Sequence, residues 1–152
     1  MDFQIGSFKE MKNQVGREIG LTDWLQIDQD QLNQFTQTTT GLPRTPDIET
    51  ASDKISFGKT MGHDYLAVSL LYYFLGNHLT LSRGTTMINY GMNKVRLLAP
   101  VNVGSKIRDK IFFTHVEEKA NGILTTTSHR IEIKGQEKPA LTAEILTLFL
   151  EP

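Results

Sequence analysis

His63 and Asp64 stand side by side in FGKTMGHDYLAVSLL, residues 57–71, where a glycine turn gives way to an almost unbroken apolar run. An imidazole takes up or gives away a proton near neutral pH, and a neighbouring carboxylate can act as a second acid or base. A helix that starts here places the positive end of its dipole beside these residues. Asp47 and Glu49, just upstream, are further candidate bases. Each has a competing structural role. His63 can tie the loop to the helix, and Asp47 and Glu49 can be solvated loop acids. Asp64 can be a first-turn acid stabilised by the dipole by roughly 0.5–1 kcal/mol, and that role is preferred.

The elements that must hold these residues follow from patterning. Phe3, Ile5, Phe8 and Met11 suggest a short amphipathic arm, and LTDWLQI a short strand. Asp28 with Gln31 matches a capping box, and Leu32 and Phe35 give the following helix one apolar face. Residues 38–56 carry Gly, two prolines and many hydroxyls, and read as a long loop of the kind that is usually functional. From Tyr65 to Leu75 almost no polar face remains, which predicts a buried helix too short to span a bilayer, stopped at Gly76-Asn77. TTMINYGMNKVRLL, SKIRDKIFFTHVEE, ILTTTSHRIEIK and ALTAEILTLFLE then read as strands, with Asn121-Gly122 as a hairpin signal. With the early strand they make five. The expected architecture is α+β: an antiparallel five-stranded sheet wrapped around a buried central helix, in one domain over residues 1–152.

Composition removes several classes of function. The 16 Lys+Arg and 17 Asp+Glu argue against nucleic acid or an anionic membrane as a dominant partner. With 0 cysteines, disulfides, thiolate metal sites and a Cys nucleophile are excluded. The polar N-terminus is unlike a signal peptide, so a cytoplasmic location is expected. No His/Asp/Glu cluster has metal-ligand spacing, and His115 and His129 read as cross-strand surface residues.

Three stretches carry a resemblance: VGREIGLTDWLQIDQDQLNQF, FGKTMGHDYLAVSLL and INYGMNKVRLLAPVNVGSKI. Together, and in this order, they resemble the MaoC-like hotdog domain of the R-specific enoyl-thioester hydratases and dehydratases, over about Val15 to Leu150. The resemblance implies a hotdog fold and a substrate carried as a thioester on coenzyme A or acyl carrier protein. It also implies no metal or redox cofactor, and pairing of two hotdogs as a homodimer or heterodimer. The implied reaction adds or removes water at a double bond conjugated to the thioester, using an Asp and a His in the pattern Asp-x-x-x-x-His. Helix-start N–H groups near Gly62 to Asp64 would steady the enolate. Tyr65, Asn89, Tyr90 and Gly91 are the implied acyl-pocket residues, against core packing as the preferred role of Tyr65 and sheet packing as an equal account of Asn89 and Tyr90. Lys94, Arg96, Arg108 and Lys110 are candidates for coenzyme A phosphates, against the plainer role of exposed strand charges.

The sequence departs from that pattern. An ungapped register from Phe35 to His63 puts Gly41 and Pro46 where the family's Asp and His stand. The four histidines, His63, His78, His115 and His129, have Gly58, Tyr73, Lys110 and Leu124 five positions before them. No register therefore restores the motif. The expectation is a thioester-binding hotdog that is non-catalytic or supports a catalytic partner. The alternatives are a hydratase with relocated groups (Asp47, Glu49, His63 or Asp64) and a thioesterase-like hydrolase.

Overall fold

The computed structural model describes residues 3–5, 8–39, 64–81 and 84–150. Its main sheet has five positions side by side. One edge is shared by two short strands, β2 (Glu18–Leu21) and β3 (Leu25–Gln26), which both pair with β6 (Lys106–Lys119). Beyond β6 follow β7 (Gly122–Ile133), β8 (Leu141–Leu150) and finally β5 (Thr86–Leu97), all antiparallel. A separate parallel pair joins β1 (Phe3–Ile5) to β4 (Leu79–Leu81), and α1 (Phe8–Lys12) follows β1. The anticipated sheet is therefore present, but LTDWLQI is split: Thr22, Asp23 and Trp24 break the pairing between β2 and β3.

The long strands form because β-branched and aromatic residues alternate with polar ones. In β6, Ile107, Ile111 and Phe113 are buried while Lys106, Arg108 and Lys110 lie on the other face. In β8 the alternation is complete, with Leu141, Ala143, Ile145, Thr147 and Phe149 inside. Alternation of period two selects one core face per strand. The β6–β7 hairpin turns on Ala120 and Asn121, one residue earlier than the Asn-Gly pair suggests, because Lys119 already pairs with Gly122. Gly122 has φ 155°, and a Cβ there would stand 2.1 Å from the carbonyl oxygen of Phe149.

α2 (Gln29–Thr38) is capped as the sequence predicts: the Asp28 carboxylate accepts from the Gln31 N–H at 2.8 Å, and the Asp28 N–H donates to the Gln31 side chain at 3.0 Å. The central helix runs from residue 64 through a turn at Leu70 into α3 (Leu71–His78). The Leu70 N–H still bonds the Leu66 carbonyl at 3.1 Å, and the Phe74 N–H the Leu70 carbonyl at 3.0 Å, so the two parts are continuous. Ala67, Leu71, Phe74 and Leu75 are buried in the core with Ile107, Ile111, Phe113, Ile131 and Ile145. Two expectations are corrected. Tyr65 and Tyr73 are 60% and 53% exposed, so within one chain this helix is covered on one side only. Gly76-Asn77 does not stop it, since the helix continues to His78 and passes directly into β4.

Candidate functional site

The helix start lies at one end of the sheet. Asp64 is the first described residue of the helix, and its Oδ1 accepts the Val101 N–H at 3.3 Å, from the connection between β5 and β6. The same connection holds the start of α2: the Ile27 N–H donates to the Ser105 carbonyl at 2.9 Å, and the Gly104 N–H to the Ile27 carbonyl at 2.7 Å. The bond from Val101 to Asp64 ties the helix to the neighbouring turn. His63, Gly62, Asp47, Glu49, Gly41 and Pro46 lie outside the described residues.

The implied pocket residues are spread over two elements. Tyr65 is on the helix; Asn89, Tyr90 and Gly91 are on β5, at a register irregularity between Asn89 and Gly91. Tyr65 and Tyr90 are each 60% exposed and Asn89 is exposed, so within one chain they do not enclose an acyl group. Helix and strand are joined nearby, where the Tyr72 hydroxyl donates to the Met87 carbonyl at 3.1 Å. Burial there pushes the Tyr72 phenol above its usual range. Three of the four candidate phosphate contacts are already ion-paired: Lys94 with Glu144 at 2.7 Å, Arg108 with Glu132 at 2.8 Å and Lys110 with Glu18 at 3.1 Å.

An imidazole–carboxylate pair does occur, but in an unexpected place. His129 on β7 is buried, which corrects the expectation of a cross-strand surface residue. Its Nδ1 lies 2.6 Å from Asp109 Oδ2 on β6, and its Nε2 lies 2.7 Å from the Thr127 hydroxyl. The order hydroxyl–imidazole–carboxylate is that of a nucleophilic triad. Exposure decides against that use, since the His129 and Asp109 side chains are both 0% exposed and Thr127 is 1%. Asp109 is also bonded through its backbone, its N–H donating to Thr22 Oγ1 and its carbonyl accepting from the Thr22 N–H, both at 2.9 Å. The parity signal was available: His129 shares a strand face with Ile131 and Ile133, and Asp109 with Ile107 and Ile111.

Thr22 also lines a cleft of about 330 Å³ with Asp23, Trp24, Tyr73, Phe74, Asn77 and His78. It sits at the C-terminal end of α3, away from the helix start. His78 is nearly buried there and lies against Gly20, where a Cβ would meet the ring Cδ2 at 1.9 Å. Among the described residues no group of three His, Asp or Glu side chains is placed to hold a metal ion. No helix among them is long and apolar enough to cross a membrane.

No family model matches the chain. The 3-hydroxyacyl-thioester dehydratase Z of Mycobacterium tuberculosis is 32% identical over 148 residues, which is 95% of this chain and 96% of that protein. The fold is shared with the unliganded R-hydratase PhaJ1 of Pseudomonas aeruginosa, with a TM-score of 0.64 at 18% identity over 91% of this chain and 83% of that one. It is shared too with the MaoC-like dehydratase of Rhodospirillum rubrum, with a TM-score of 0.62 at 13% identity over 91% and 94%. A sheet of this order around a central helix, with a relative this similar along nearly the whole length, defines the class. The chain belongs to the MaoC-like hotdog dehydratase family.

Proposed function

We propose that this protein binds acyl groups carried as thioesters, on coenzyme A or acyl carrier protein, and does not itself catalyse their hydration. It would act as the non-catalytic member of a hotdog pair. The observation that carries this is the combination of family membership with a sequence in which no His has an Asp five positions before it. Two features support it. The Asp64 carboxylate accepts a backbone N–H, and the described His–carboxylate pair is sealed in the core. Without both groups, general acid–base assistance worth on the order of 10²–10⁴-fold per group is lost, while helix-start N–H groups still favour a thioester oxygen.

Pairing is supported by the surface of β5. This strand ends the sheet, and Ile88, Tyr90, Met92 and Leu97 on it are exposed, as are Tyr65 and Tyr73 on the helix. An open edge rich in apolar residues invites another strand. A second hotdog, identical or homologous, would cover it. Titration calorimetry with a non-hydrolysable acyl-coenzyme A thioether tests the binding: saturable uptake is expected, and its absence with both thioether and acyl carrier ligands overturns the reading. Light scattering tests the pairing, with a stable monomer at micromolar concentration, and no captured hotdog partner, as the contrary result.

A further inference from the structure

The outer face of the sheet carries a charge pattern that the fold does not require. At three successive cross-strand positions β6 and β7 present Lys106 beside Lys134, Arg108 beside Glu132, and Lys110 beside Arg130. Lys110 and Arg130 are directly opposite in register, an arrangement that costs stability when the charges are alike. Five cations thus face two carboxylates, Glu132 and the neighbouring Glu18, which pair with Arg108 and Lys110. Lys106, Arg130 and Lys134 are exposed and have no carboxylate partner among the described residues. Trp24, from the break between β2 and β3, lies under this row: the Arg108 guanidinium is 4.3 Å from its ring centre and the Lys134 ammonium 5.9 Å. The chain as a whole has a formal net charge of -1, so the basic excess is local.

The row also has a direction. Its Lys106–Lys134 end is where β6 begins, next to Ser105 and five residues from Val101, whose N–H is held by Asp64. The basic face therefore leads to the end of the sheet that carries the helix start. It spans about 13 Å along the strand at ~3.3 Å per residue. Trp24 borders the cleft at the end of α3, but none of the five cations lines it. Nucleotide phosphates are held in clefts, whereas open charged faces steer and orient proteins.

We propose that this face docks the acidic surface of an acyl carrier protein, so that the thioester reaches the helix start from a protein carrier and not from free coenzyme A. The proposal rests on the thioester-binding reading and names its carrier. Rim charges of this kind act mainly on encounter and fall off with salt.

The test uses the full chain and the variant Lys106→Glu/Arg130→Glu/Lys134→Glu. All three side chains are exposed, and circular dichroism confirms the fold. Affinity is measured by fluorescence anisotropy for an acyl carrier protein bearing a thioether-linked butyryl group, and by calorimetry for the matching coenzyme A thioether. Expected is a loss of about tenfold or more for the carrier, an unchanged affinity for the coenzyme A ligand, and weaker carrier binding at high salt. Unchanged carrier binding by the variant overturns the proposal. So does an equal loss for both ligands, which would assign the row to coenzyme A phosphates. If the unmodified protein binds neither ligand, the thioester reading itself fails, a result distinct from either of these.

Discussion

Among the described residues, Asp64 at the first described turn of the helix and the Asp109–His129 pair in the core are opposites. At the helix start Asp64 is half-buried and bonded to a backbone N–H of the adjoining turn. In the core, Asp109 and His129 are bonded to each other and wholly removed from solvent. The sealed pair has the residue types that acid–base chemistry needs, without access for a substrate. Around the helix start the family's acid–base pattern is absent from the sequence. Residue type alone is therefore a poor guide to a site; exposure separates a pair that holds strands together from one that could meet a ligand.

The comparison is most severely tested by breaking the sealed pair. Removing one partner leaves the other buried and uncompensated, so Asp109→Ala or His129→Ala should each cost about 3–5 kcal/mol in urea unfolding. The double variant Asp109→Ala/His129→Val should cost less than the sum of the two single losses, because neither member is left buried without the other. Strictly additive costs would mean that the pair does not act as a unit. If the pair is structural, any single variant that still folds keeps the thioether affinity of the unmodified chain.

Gly20→Ala probes the same interior from the other side. A methyl 1.9 Å from the His78 ring forces the helix end or β2 to shift, and a loss of about 1–3 kcal/mol is expected. A fully stable variant would show that this end of the helix yields easily. At the helix start the effects are smaller. Asp64→Asn keeps an acceptor for the Val101 N–H but loses the charge, so thermal unfolding should report at most about 1 kcal/mol. A loss as large as that of the sealed pair would erase the distinction between the two regions.

The smallest effect is expected at the surface. The Glu118 carboxylate is held below its usual range by its hydrogen bond to Lys12, and Glu117 likewise by Lys119. A lowered folded-state value means that any stabilisation is present at neutral pH and fades as the pH falls through the carboxylate range. Both groups are fully exposed, so Glu118→Gln should leave the melting temperature unchanged within error at neutral pH.

Much of the fold was legible because β8 and the first half of β6 alternate with a period of two, and β5 is rich in β-branched and aromatic residues. TTMINYGMNKVRLL and ALTAEILTLFLE fall within a residue or two of β5 and β8. The Asp28–Gln31 box was legible because its two hydrogen bonds are local. The break at Thr22–Trp24 was not, since it follows from contacts with Asp109 and Arg108, more than 80 residues away. The helix was read as buried all round because hydropathy cannot tell a face covered by the same chain from one left for another. Of the candidate site, the bond from the Val101 N–H to Asp64 was not legible, because it joins residues 37 apart in sequence. Asp109 and His129 were missed because polar residue type was given more weight than strand parity.

The central claim is that the thioester-binding architecture persists without competent acid–base catalysis. The most direct measurement is the rate at which the purified chain, alone, hydrates crotonyl-coenzyme A, followed by loss of the enoyl absorbance. The account predicts a rate at background even at saturating substrate. Robust turnover that disappears in His63→Ala or Asp47→Asn would contradict it and assign the proton transfers to relocated groups in the 41–63 segment.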